Sequence, residues 1–250
     1  MEAFYDTIVL SPHLDDAVLS CGGQIAWQTA AGQSVLVVTI MAGDPPAANV
    51  SPYAQQLHDR WEFQTEAAGR RREEDRNACR ILGADYLHWD IPDCIYRHEP
   101  LTGTACYNSD EDIFGPVHPA EKELQHILVE KLAKLPKHGR IMTPLSVGNH
   151  VDHQLTRLAA ESCFERRLIY FEEYPYAADA GAVEKVIATG EDMWHSQTIP
   201  ISRGIMEKKI EAIAAYASQI STFFLDRADL EQQVKEYAQL VGGERIWWLR

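Results

Sequence analysis

Basic side chains are in short supply, with 23 Lys and Arg against 37 Asp and Glu, and the formal charge is −14. Such a chain repels a phosphate backbone, and no Lys/Arg stripe with interleaved aromatics offsets the repulsion locally, so nucleic acid is not an expected partner. The run Arg70-Arg71-Arg72 is followed at once by Glu73-Glu74-Asp75, which reads as a charge-laced helix face. Long apolar runs are missing too. The longest, Val35 to Ile40, is far too short to span a bilayer, and the N-terminus enters a strand pattern with no basic leader, so neither a membrane protein nor an exported one is expected. Cysteine is sparse and odd in number: Cys21, Cys79, Cys94, Cys106 and Cys163. Their irregular spacing fits neither a disulfide framework nor a thiolate zinc site, and a reducing cytoplasm is the expected compartment. Neither a G-x-G-x-x-G run nor a Walker motif occurs. Gly22-Gly23 after the first strand is therefore a weak signal for a non-catalytic, Rossmann-like nucleotide- or sugar-binding protein, and close helix–sheet packing explains it equally well.

What is present is ordinary in bulk. An apolar fraction of 46% and a charged fraction of 24% exclude a disordered or fibrous chain. With 250 residues there is room for one α/β domain with a large core but not comfortably for two, so residues 1–250 are expected to form a single domain. Thr7 to Ser11 is a short aliphatic run, Ser20 to Ala31 looks helical with Gly32 as its stop, and Val35 to Met41 is a second apolar run without alternation. That is a βαβ unit whose strands are covered on both faces. After a loop from Gly43 to Pro52, Tyr53 to Leu82 is mostly helical with an interruption near Gly69, and Gly83 ends it. Further strands are expected at Tyr86–Trp89, Arg140–Pro144, Arg167–Glu172, Gln197–Ile201 and Arg245–Leu249. Helices are expected at Ala120–Leu135, Val151–Arg166, Arg203–Gln219 and Asp229–Leu240. The alternation predicts a Rossmann-like, doubly wound, mostly parallel sheet with helices on both faces, in which ligands lie beyond the carboxyl ends of the strands.

Two loops in that position carry clustered His and Asp. The first is Ser11-Pro12-His13-Leu14-Asp15-Asp16, after the first strand. An imidazole and a carboxylate are both suitable zinc ligands, and a tight turn can bring His13 and Asp16 onto one divalent ion. Asp15 points elsewhere and can hold a metal-bound water, although it is equally placed to cap the first helix. The second cluster is His150-Val151-Asp152-His153, after the fourth strand. His150 and His153 share a helix face, and His153 is assigned as the third ligand, leaving one coordination position open. Asp152 can accept a hydrogen bond from a ligand imidazole and fix its tautomer. Either cluster alone is weak; both together, each at a strand's carboxyl end, point to a metal-dependent hydrolase.

These motifs resemble the LmbE-like or PIG-L-type N-acetylglucosamine deacetylases. Pro12-His13-Leu14-Asp15-Asp16 is similar to that family's (A/P)-H-x-D-D, and His150-Val151-Asp152-His153 to its H-x-D-H. The likeness continues through Arg71, Glu74, Ala78, Leu82 and Gly83, then Ile91-Pro92-Asp93, then Lys208, Ala212, Tyr216, Ser218 and Gln219, so that it spans nearly the whole chain. The resemblance implies a Rossmann-like zinc enzyme that removes an N-acyl group, most often acetyl, from an amino sugar or glycoside by attack of a zinc-bound water. It implies that His13, Asp16 and His153 bind zinc, that Asp15 is the general base, that His150 stabilises or protonates the reacting amide, and that Arg71 contacts substrate. Asp93, in the loop after the third strand, is a second substrate-binding candidate, and Asp44 a weaker one. Fe(II), Co(II) or Ni(II) also suits two imidazoles and a carboxylate.

There are departures from the family pattern. Leu14 and Val151 stand where proline is most often found, and Gly148 stands two residues before His150 where some relatives carry a tyrosine. The Tyr170–Tyr176 segment is closer to relatives that act on antibiotic or other secondary-metabolite sugars. An amidase or esterase acting on a conjugate would use the same metal site. His118, His126 and His195 are read as structural, and Trp247-Trp248 as core or subunit contact, which leaves room for a homo-oligomer. Specificity is expected in the long loops Asp90–Pro119 and Tyr174–Ser196.

Overall fold

The structure, a computed structural model, describes residues 3–46, 50–60, 67–164, 168–188 and 193–249. The chain runs β1 (Phe4–Ser11), α1 (Asp16–Ala30), β2 (Val35–Thr39), α2 (Pro52–Arg60), α3 (Ala67–Leu82) and β3 (Asp85–His88). There follow α4 (Asp110–Ile113), α5 (Lys122–Leu132), β4 (Lys137–Pro144), α6 (Val151–Phe164), β5 (Leu168–Phe171), α7 (Ala182–Ile187) and β6 (Trp194–Ile199). The chain closes with α8 (Arg203–Ala214), α9 (Ile220–Phe223), α10 (Arg227–Val241) and β7 (Glu244–Leu249). Among the described residues the strands form one sheet in the order β3-β2-β1-β4-β5-β7-β6. The first five are parallel; β7 runs antiparallel to both β5 and β6.

Central strands show why this sheet is the core. Every residue of β2 is buried, as a parallel strand covered on both faces requires. In β1, Val9 packs on one face with α1, α3, α8 and α10, while its neighbours Ile8 and Leu10 pack on the other with α5 and α6. Each such side chain contributes about 1.5–3 kcal/mol on burial. A third, smaller cluster joins Tyr53, Ala54 and Leu57 of α2 to Cys94, Ile95, Tyr96, Tyr107 and Ile113, giving the long segment between β3 and α5 its own packing.

Several boundaries differ from the sequence reading. Helix α1 begins at Asp16 rather than Ser20, and the irregularity lies inside it, at Cys21 (φ −130°, ψ 23°). There the freed amides of Gly23 and Gln24 donate to the buried Glu244 carboxylate, at 2.8 and 2.7 Å, and Lys209 Nζ reaches the same carboxylate at 2.7 Å. A Cβ on Gly23 would stand 2.8 Å from a Glu244 oxygen, so the glycine admits that close approach. Gly69 does not interrupt a helix. It lies within α3, where a Cβ would meet only the end of the Arg72 side chain at 4.0 Å and glycine costs about 1 kcal/mol against alanine. The helix expected over Arg203–Gln219 ends at Ala214, and a turn leads into α9. Residues 61–66, 165–167 and 47–49, which touch the expected Tyr53–Leu82, Val151–Arg166 and Arg167–Glu172 elements and the Gly43–Pro52 loop, lie outside the described residues.

Candidate metal centre

Strands β1 and β4 are neighbours in register, with Ile8 beside Ile141 and Val9 beside Met142. The sheet order reverses direction at this pair, with β2 following β1 on one side and β4 on the other, which opens a crevice beyond their carboxyl ends. The two His/Asp loops leave β1 and β4 and therefore meet, although 139 residues separate His13 from Asp152. Ser11 Oγ ties the first loop, donating to the His13 carbonyl at 2.7 Å and accepting the Ala17 amide at 3.0 Å. Asp15 sits at the N-cap position of α1 with φ 146°, and its side chain caps nothing. A non-glycine residue in that region stores of order 1–3 kcal/mol of strain, which the surrounding structure must hold. In the second loop Ser146, Gly148 and Asn149 all have positive φ, at 65°, 84° and 65°. Gly148 is required twice over, because a Cβ there would also lie 2.6 Å from the Tyr176 ring.

The metal-type side chains close around one oxygen. Asp16 Oδ2 is 3.2 Å from His13 Nδ1, 3.3 Å from His153 Nε2, and accepts the His13 amide at 2.8 Å. The opposite nitrogen of each imidazole is held by another carboxylate: His13 Nε2 by Asp152 Oδ2 at 2.9 Å, and His153 Nδ1 by Glu173 Oε1 at 3.1 Å. Asp152 and Glu173 are completely buried. Asp152 Oδ1 accepts from Arg97 at 2.5 Å, and Glu173 Oε2 from the Val147 amide at 3.2 Å.

Electrostatics follow from that arrangement. Burial works against the charge of Asp16, yet His153 and His13 hold its carboxyl well below the usual range. Burial also opposes charge on His153, but Asp16 and then Glu173 outweigh it and bring the imidazole up to about 9. His13 is likewise held well above its ordinary value, against burial, by Asp152 and Asp16. His150 is the exception. Burial and then the cationic His13 push it down to about 3, so it is neutral. Its Nδ1 accepts the Asp152 amide at 3.2 Å, which leaves the proton on Nε2, the atom facing Cys94 Sγ at 3.9 Å. Asp15 has no hydrogen-bond donor among the described residues and approaches Arg71 Nη2 at 3.8 Å; burial and then Asp16 lift its carboxyl to about 7.

All eight residues singled out in the sequence stand at this crevice. Asp93 Oδ2 is 3.7 Å from His13 Nε2, and Asp93, His13, Arg71 and Tyr96 line a recess of about 30 Å³. Arg71 departs from the solvated-face reading of its run: Arg70 pairs with Glu74 and Arg72 with Asp44, but Arg71 turns inward, and its buried Nε has no partner. Asp44 stays at the rim on Arg72. Sequence reasoning missed Glu173, which holds the His153 imidazole directly, and Arg97 and Glu121, which reach His13 only through Asp152. Helical phase carried a signal for Arg71, since Arg71, Glu74, Asp75, Ala78, Cys79 and Leu82 form one inner face of α3.

His13, Asp16 and His153 are a candidate donor set for a divalent transition metal. Two imidazoles anchored on their outer nitrogens by carboxylates, with their inner nitrogens on a shared aspartate oxygen, is the arrangement that orients metal-ligating histidines. His13, His150 and His153 also bring one nitrogen each within 4.8 Å of one another, and Cys94, His150 and Asp152 do so with their donor atoms. The cysteine set fits a metal poorly, because His150 Nε2 keeps its proton and burial raises the Cys94 thiol well above its ordinary value. The binding-module alternative loses its footing as well: the Gly23 and Gln24 amides already serve Glu244 and are not free for a phosphate. No helix among the described residues is long and apolar enough to cross a membrane.

Residues 8–164 match the family model for GlcNAc-PI de-N-acetylase, PIG-L. The chain is 26% identical over 223 residues to a 2'-N-acetylparomamine deacetylase of Streptomyces fradiae, covering 85% of this chain and 73% of that protein. It is 24% identical over 232 residues to a protein of the same name from Niallia circulans, covering 85% and 83%. Among solved structures it matches the zinc-inhibited form of a teicoplanin deacetylase with a TM-score of 0.76 and 26% identity, over 99% of this chain and 97% of that one.

Proposed function

The chain belongs to the GlcNAc-PI de-N-acetylase (PIG-L) family, and we propose that it is a metal-dependent deacetylase of an N-acetylated amino sugar on an aminoglycoside- or glycopeptide-type glycoside. The names of its relatives and structural neighbour support the substrate class. A charge of −14 favours the cationic members of that class, which it would draw toward the protein. One observation carries the reading: His13 and His153 each present one nitrogen to the same Asp16 oxygen while a buried carboxylate holds the other.

His13, Asp16 and His153 would hold the ion, with zinc the best match to the donors and Fe(II), Co(II) and Ni(II) compatible. When bound, such an ion supplies a Lewis acid that lowers the pKa of water toward about 7 and polarises a carbonyl. Asp15, which accepts no hydrogen bond among the described residues, takes the proton of the attacking water and returns it to nitrogen as the C–N bond breaks, so that water and amide give acetate and amine. His150, neutral and carrying its proton on Nε2, donates to the carbonyl oxygen as charge gathers there. Arg71 and Asp93 at the mouth hold the sugar's polar groups, and Asp152 keeps the His13 ring in place.

The test is release of free amine from N-acetylated paromamine and from a teicoplanin-type N-acetylglucosaminyl glycoside, using protein stripped of metal and reloaded with zinc or cobalt. Metal-dependent release is expected. Failure of the reloaded protein on every N-acetyl amino sugar, with O-acyl or conjugate substrates cleaved instead, would replace this reading by that of an esterase or conjugate amidase.

A further inference from the structure

Arg97 belongs to no motif, yet it joins two buried carboxylates beside the site. Its side chain is only 8% exposed. Nε and Nη2 donate to Glu121 Oε1 and Oε2 at 2.5 and 2.9 Å, Nη2 also donates to Asp152 Oδ1 at 2.5 Å, and Nη1 donates to the Pro92 carbonyl at 3.2 Å. Glu121 is fixed in turn by the Tyr107 hydroxyl at 2.8 Å, whose oxygen accepts the His118 amide at 2.9 Å. The other Asp152 oxygen accepts the Cys94 amide at 3.1 Å and faces His13 Nε2. A guanidinium is planar and its donors form a rigid fork, so Arg97 cannot turn Asp152 without breaking its paired bonds to Glu121.

We propose that Arg97, backed by Glu121, is a positioning residue for His13: it locks the Asp152 carboxylate so that the His13 ring keeps Nδ1 turned toward Asp16. The inference rests on the reading of His13 as a metal ligand. A purely structural role would require only that buried charge be balanced. Arg97 alone bonds both carboxylates, so removing it strands Glu121 and leaves Asp152 with His13 as its one ionic partner among the described residues, whereas removing the Arg97 and Glu121 charges together leaves the net buried charge unchanged.

Arg97→Lys and the double variant Arg97→Met with Glu121→Gln separate the two roles. Zinc and cobalt dissociation constants are measured by chelator competition, the absorption spectrum of the cobalt form is recorded, and the melting temperature is taken without metal. The expected result is a double variant that melts close to wild type yet binds metal about 10–100-fold more weakly with a changed cobalt spectrum, and an Arg97→Lys protein weakened by about tenfold. Wild-type affinity in either variant, within about twofold, overturns the proposal; should the double variant fail to fold, Arg97→Lys decides. His13→Ala serves as the control. If it binds metal like wild type, the site reading itself fails, whereas weak binding by His13→Ala with normal binding by the Arg97 variants removes this inference alone.

Discussion

Asp15→Asn should remove a base and, beside it, only the 3.8 Å charge contact with Arg71 Nη2. Its carboxylate accepts no hydrogen bond among the described residues, so none is lost on substitution. The contacts that anchor this turn use backbone: the Asp15 carbonyl accepts the Val18 and Leu19 amides, both at 2.9 Å, and the Asp15 amide donates to the His13 carbonyl at 3.1 Å. Asparagine tolerates positive φ at least as well as aspartate, so the strained backbone is no harder to hold. Asp16 keeps its three contacts, and with them the metal site. Loss of a positioned general base typically lowers turnover by about 10²–10⁴-fold, or about 2.7–5.5 kcal/mol of barrier. Removal of a buried carboxylate beside Asp16 should not lower the melting temperature. Amine release at saturating substrate, metal content by mass spectrometry and a melting curve on the same preparation check all three points. Turnover within about fivefold of wild type, with metal bound, refutes the assignment of Asp15; an equal loss of metal and activity refutes the claim that it stands off the ion.

Three other outcomes follow from the same geometry. Glu173→Gln keeps the shape but removes the charge that holds His153 Nδ1, and metal affinity should fall by about 10–100-fold in chelator competition; unchanged affinity would make Glu173 a bystander. Zinc at about a hundred times its dissociation constant should add about 2.7 kcal/mol to the stripped protein, about 5–10 °C for a chain of this size, and a melting point indifferent to zinc counts against the site. Glu244→Gln strands the buried Lys209 ammonium and weakens the caps on Gly23 and Gln24, costing about 3–5 kcal/mol, or about 10 °C in a calorimetric melt. Adding Lys209→Met should recover most of that loss, and a single variant that melts like wild type would show the pair to be solvated.

The parallel half of the sheet was legible because covered strands and amphipathic helices leave different periods, as in the wholly buried Val35–Thr39 against the inner face of Ala67–Leu82. Apolar runs carry no direction, however, so the antiparallel setting of Trp194–Ile199 against Glu244–Leu249 emerges only from the pairing. The kink in α1 was not legible: Gly22-Gly23 suggested a binding loop or close helix–sheet packing, whereas the glycine amide is capped by a carboxylate 221 residues away in sequence. Both His/Asp loops announced themselves because their histidines and aspartates are packed into four-to-six-residue motifs after short apolar runs. Arg71 hid inside a charged run that is split between two faces, with Arg70 and Glu73 toward solvent and Glu74 and Asp75 buried beside it. Glu173, Arg97 and Glu121 left no local mark at all: Glu173 acts on a histidine 20 residues away, Arg97 on an aspartate 55 away and Glu121 on Arg97 24 away, and ordinary buried polar side chains look the same in sequence.

Two scales of positioning are therefore at work, and only the coarser one is written in the motifs. The adjacency of β1 and β4 brings His13 and His153 near each other, because any loops leaving those strand ends must meet. It does not decide which nitrogen of either ring faces Asp16, and a ring turned over would present the wrong atom. That choice is made by Asp152 on one imidazole and Glu173 on the other, and the two supports come from different parts of the chain and are balanced differently. Asp152 leans on the Arg97 guanidinium, whereas Glu173 is met, among the described residues, by backbone N–H and His153 itself. The two histidines should thus respond unequally to loss of their supports, with His13 sensitive to changes as far away as Glu121. A chain that kept both motifs but lacked acidic or basic partners at these positions would retain the fold and the crevice while binding metal poorly.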